Sequence, residues 1–109
     1  MDFAKSQKFL SEKQKLQDLF DKLEIDLNNC LENFENLEKD KINELYDLIT
    51  DNEPLALVIN GKFYKDFSNF KNRFERFFSS FEETRRSKME ITLENFLDDL
   101  QILKKDLFA

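Results

Sequence analysis

The chain has no histidine, one glycine, one proline and one cysteine among its 109 residues. Each scarcity removes a class of function. Without His the chain lacks the commonest general base and the commonest metal ligand. One Gly cannot build a phosphate-binding loop, and one Gly with one Pro leaves little turn material for an all-β fold. A single Cys excludes both an intrachain disulfide framework and a Cys-rich zinc site. No run of residues is long and apolar enough to span a membrane. The opening Met1-Asp2-Phe3-Ala4-Lys5 lacks the basic-then-apolar order of a secretory signal. These features favour a reducing, cytoplasmic setting and predict no metal and no cofactor. A net charge of −6 weighs against general attraction to nucleic acid or to anionic membrane.

What the chain does have is an apolar stripe at helical spacing. Phe9, Leu16, Phe20, Leu23, Leu27, Cys30, Phe34 and Leu37 step mostly by three and four. So do Phe63, Phe67, Phe70, Phe74, Phe77 and Phe81. Each set falls on one helix face. The spacing predicts a single all-α domain over 1–109. A long helix over about 4–50 and another over about 64–107 form an antiparallel, coiled-coil-like hairpin, joined by a connector over about 51–63. Each helix carries one phase slip, where eleven residues separate Phe34 from Leu45 and Phe78 from Met89. An eleven-residue step unwinds a left-handed supercoil locally; the first slip, at 37–41, equally fits a kink or a short break.

The connector holds the only Pro and the only Gly, and it opens with Thr50-x-x-Glu53, a capping-box pattern. Leu55–Ile59 reads either as a short buried helix stopped at Gly61 or as one strand of a small hairpin turning at Asn60-Gly61. A lone hairpin is marginal in water, which favours the helix. Residues 18–53 carry 12 acidic and 3 basic side chains, whereas 62–88 carry 8 basic and 4 acidic, including all four Arg. Opposite charge flanking a seam selects pairing and orientation. Two helices conceal less apolar stripe than this chain carries, which predicts a homodimer forming a four-helix bundle or an end-to-end helical dimer.

No residue constellation here names a reaction, and the sequence predicts no catalytic activity. Carboxylate pairs such as Glu32 with Glu35 and Glu94 with Asp98 read as a solvated face. Cys30 reads as a small buried hydrophobe, because its neighbours Asn28, Asn29, Leu31 and Glu32 supply no positive charge to activate a thiol. The strongest departure in composition is the aromatic segment: seven of the thirteen Phe lie within 63–81. Phe63, Phe67, Phe70, Phe74, Phe77, Phe78 and Phe81 are either core or an apolar groove for a partner's helix. Ile25, Ile91 and Ile102 fall off the stripe and mark a second contact surface. Arg73, Arg76, Arg85 and Arg86 form a charged contact face. The reading that follows is a non-catalytic protein–protein interaction module; the alternative is a purely structural coiled-coil homo-oligomer. In shape and charge such a hairpin looks like the small acidic chaperones of secretion and flagellar export, and like coiled-coil adaptors, a likeness of architecture alone.

Overall fold

Asn28, Asn29, Asn33 and Asn36 crowd the place where the first stripe slips. Asn side chains compete with the helix by bonding nearby backbone. Here Asn28 Nδ2 donates to the Glu24 carbonyl and Asn33 Nδ2 to that of Asn29. In the computed structural model, which describes residues 3–108 and the side chains of 11–108, the helix stops at this point. Met1, Asp2, Ala109 and the side chains of 3–10 lie outside the described set. With them lie Phe9 of the expected stripe and the Met1-to-Lys5 opening.

Helix α1 (Phe3–Glu32) is followed by a 3-10 turn over Phe34–Asn36 and then α2 (Lys39–Asp51), α3 (Glu53–Ile59) and α4 (Gly61–Ser79). A second 3-10 turn over Phe81–Glu83 leads to α5 (Arg86–Leu107), and no strand occurs among the described residues. The two 3-10 turns share one construction. A Phe-Glu pair follows Asn33 or Ser80, the Phe carbonyl accepts from the N–H of Leu37 or Thr84, and two extended residues lead into the next helix. At the second turn the Ser80 and Thr84 hydroxyls donate to the carbonyls of Arg76 and Ser80, the backbone competition that Ser and Thr bring to a helix end.

Both expected long helices are thus folded back on themselves. An unbroken helix over 4–50 would run about 70 Å, but the molecule measures 54 × 21 × 21 Å. Four arms result: α1, α2 with α3, α4, and α5. Neighbours pack in a closed ring, α1 against α3, α2 and α3 against α4, α4 against α5, and α5 against α1. This is an up-down-up-down bundle. The four-helix arrangement expected from two chains is completed within one. The eleven-residue steps are the residues consumed in reversing the chain.

The connector is helical, and it departs from expectation in three ways. Asn60 is extended and caps α4, its Oδ1 accepting from Phe63 N–H at 2.7 Å. Gly61 therefore opens α4 instead of stopping α3. The capping box does not form: Thr50 belongs to α2, and Glu53 instead accepts from Lys71 at 2.8 Å and Ser68 at 3.3 Å. Finally, α3 is only half buried. Ala56 and Ile59 face the core, while Leu57 and Val58 are 61% and 51% exposed.

All four arms feed one core. Leu16, Phe20, Leu23 and Leu27 of α1 meet Ile42, Leu45 and Ile49 of α2, Phe67, Phe70 and Phe74 of α4, and Leu93 and Leu100 of α5. Phe20 touches Phe63 and Phe67 across the bundle, and Phe96 of α5 lies against Phe70, Phe74 and Phe77. Offset and edge-to-face rings of this kind add to area burial alone. Between α1 and α5, Lys104 bridges Asp21 at 3.0 Å and Glu24 at 2.7 Å.

Candidate partner-binding groove

The aromatic segment lies inside. Phe63, Phe67, Phe70, Phe74, Phe77 and Phe81 are all buried. Phe78 is half buried, stacked on Tyr46 at 6.2 Å with the Lys39 ammonium 5.0 Å from its ring. Of the two readings of this segment, the geometry is that of core. The four Arg are not one face. Arg86 reaches away from α4 to donate to the carbonyls of Phe34 and Leu37, at 3.1 and 2.8 Å, across the Phe81 ring. Arg73 pairs with Asp99 of α5. Arg76 and Arg85 are exposed and take part in no ion pair among the described residues.

What sequence reasoning missed is the space between α4 and α5. Three cavities lie in line along this seam. The first, about 290 Å³, is lined by Arg73, Arg76, Phe77, Ser80, Thr84, Lys88, Thr92, Asn95, Phe96 and Asp99. The next, about 230 Å³, shares Arg73 and Asp99 and adds Asp66, Asn69, Phe70, Ile102 and Leu103. The third, about 200 Å³, shares Asp66 and adds Asn60, Lys62, Phe63 and Asp106. Each alone is smaller than an ordinary small-molecule site. Together they make a trough that follows α5 from Lys88 to Asp106, about 27 Å at helical rise, crossed where the first two cavities meet by the Arg73–Asp99 ion pair. Its base rests on the buried rings of Phe63, Phe70, Phe77 and Phe96, and its rims are polar.

The trough exists because its rims carry short side chains. Asn69, Ser80, Thr84, Thr92 and Asn95 stand where longer residues would cover the seam. The signal was present in the sequence as short polar residues flanking the stripe at helical spacing, but it is legible only once α4 and α5 are known to be neighbours. The trough is also electrically graded. One end holds Arg73, Arg76 and Lys88 against the single carboxylate of Asp99; the other holds Asp66 and Asp106 against Lys62.

The off-stripe isoleucines are exposed but do not meet. Ile102 lines the trough, whereas Ile25 on α1 and Ile91 near the start of α5 lie outside its lining. Cys30 is buried, and burial raises its thiol above the usual cysteine value, the opposite of what a nucleophile needs. Among the described residues no group of three or more Cys, Asp and Glu is placed to hold a metal ion. No helix among them is long and apolar enough to cross a membrane. Comparison with family models, curated proteins and solved structures gives no match.

Proposed function

We propose that this chain is a non-catalytic protein-binding module, an adaptor or export-type chaperone of the cytoplasm, whose α4–α5 trough receives a helix of a protein partner. The observation that carries the reading is the trough itself: three cavities in line over about five helical turns, between polar rims, with buried Phe63, Phe70, Phe77 and Phe96 at the base and Ile102 exposed. Helix-in-groove recognition uses such a surface, with the partner's apolar face on the floor and its polar flanks on the rims. The Phe stripe cannot serve directly, because the four arms of the bundle already enclose it. Binding energy would concentrate at Ile102, the exposed large apolar side chain of the lining, with the charged rims setting orientation.

The test is affinity capture from the source cells with the native protein and with an Asn95→Arg, Ile102→Arg variant. Both changes are at exposed trough positions, so matched thermal melts should show an intact fold. A stoichiometric protein held by the native chain and lost on the variant supports the reading; equal retention by both rejects it. Nucleic acid is not the expected occupant, since the trough's four cations sit on a molecule of net charge −6. A salt-sensitive RNA or DNA shift lost on Arg76→Glu with Lys88→Glu would replace the protein partner with a nucleic acid.

A further inference from the structure

The molecule carries a second outer face that matches the trough in length, charge and order. On α2 one exposed edge carries the acidic Asp40, Glu44, Asp47 and Asp51; the other exposed residues, Asn43 and Thr50, are uncharged, and Glu44 pairs with Lys41 at 3.4 Å. The exposed side of α3 continues the same arm with Pro54, Leu57 and Val58. From Asp40 to Val58 this edge spans about 27 Å at helical rise, the same as the trough. It begins at the end of the bundle where Lys39 covers Phe78, which is also the end holding Arg76 and Lys88. Its apolar part lies toward the opposite end, as does Ile102. An α-helix apolar on all sides normally has all sides covered, and α3 has one side bare.

Taking the trough as a docking site, we infer that its occupant is the α2–α3 edge of a second copy of this chain. Laid parallel with Asp40 level with Lys88, the edge sets Asp40 against Lys88 and, about 10 Å further on, Asp47 against Arg76, with Leu57 and Val58 toward the Ile102 end. Arg76, Lys88, Asp40 and Asp47 make no ion pair within the described residues of the single chain. Their charges are available for an intermolecular pairing. The contact joins two different surfaces, so it is heterologous and either closes into a ring or extends as a filament.

Sedimentation of three proteins tests this. The native chain should associate as concentration rises, with a dissociation constant on the order of 10–100 µM. Raising salt from about 0.05 to 0.5 M should weaken it roughly tenfold, as expected of partly exposed charge pairs. Arg76→Glu with Lys88→Glu should be monomeric, because an acidic trough now meets an acidic edge. Asp40→Lys with Asp47→Lys should also be monomeric, because basic groups then face Lys88 and Arg76. An equimolar mixture of the two variants should associate again, since each trough finds an edge of opposite sign; this recovery also shows that both variants are folded. A native chain that stays monomeric throughout, a variant that associates like the native chain, or a mixture that stays monomeric overturns the inference. If the native chain is monomeric yet holds a different protein in a trough-dependent way, the docking site stands and the assigned occupant falls.

Discussion

Single residues show how much of this fold rests on placement of ordinary chemistry. Phe74 is fully buried and touches Phe70, Phe77 and Phe96. Phe74→Ala should therefore cost about 3–5 kcal/mol, the price of lost transfer energy plus a cavity, read as a lower urea midpoint with an unchanged slope. Gly61 gives the opposite case. Its φ is not positive, and a Cβ added there would meet nothing within 4 Å. Gly61→Ala should stabilise by about 0.5 kcal/mol, mainly by narrowing the unfolded ensemble. Its neighbour Asn60 does the work a sequence reader assigns to Gly61. Asn60→Ala removes the cap on Phe63 N–H and should cost about 1 kcal/mol in the same measurement. The stripe of Phe positions was readable from spacing alone, because a residue's place on a helix face depends only on periodicity. Whether that face meets the core or a partner depends on how many helices surround it, which spacing does not encode.

At the level of elements, helices were easier to find than their ends. Neither Asn33–Glu38 nor Ser80–Arg85 contains Gly or Pro, the residues that usually announce a stop. Each turn instead combines side chains that bond backbone with a Phe-Glu 3-10 turn, and the reversal emerges only when both sides of the break can bury apolar faces against each other. The trough followed the same logic: α4 and α5 become neighbours only once the chain turns at 80–85. Arg86 ties the two turns together, since from the start of α5 its guanidinium bonds the Leu37 carbonyl and shares the Phe34 carbonyl with the Leu37 N–H. Arg86→Ala should cost about 1–2 kcal/mol, as charge-assisted hydrogen bonds at a partly exposed site do. Arg86→Lys should recover only part of that loss: both bonds come from one guanidinium nitrogen, which an ammonium can replace, but the planar group over the Phe81 ring is lost. Hydrogen exchange should show the effect first at residues 33–38, the segment that the bonds hold. Uniform loss of protection over the whole bundle would instead mean that the two turns and the core are one cooperative unit.

For the whole molecule, the absence of His shapes the response to pH. No side chain in the chain has an ordinary titration between about 5 and 8. Stability should be nearly flat across that range, and the limits should be set by groups whose values the fold moves. Glu24 is lowered, first by its hydrogen bond from Lys104. A carboxyl lowered by folding contributes stability above its usual value of 4.5, and that contribution is lost as pH falls through the folded value. Lys104, bonded to Glu24 and then Asp21, is raised, as is Lys71 by its bond to Glu53. Their contributions are complete below the usual 10.5 and disappear as pH rises through the folded values. Cys30 acts earlier on the alkaline side. Burial raises it above the usual 9.0, so above that pH the unfolded chain ionises while the folded one does not, and stability declines. Urea midpoints measured across the pH range should therefore show a plateau, a fall below about 4.5, and an alkaline fall beginning near 9. Cys30→Ala should delay the alkaline fall, at the cost of a small cavity, whereas Glu24→Gln should flatten the acid side and leave the first alkaline step in place. A clear inflection between pH 6 and 8 in the native protein would mean that a group outside this set couples to folding.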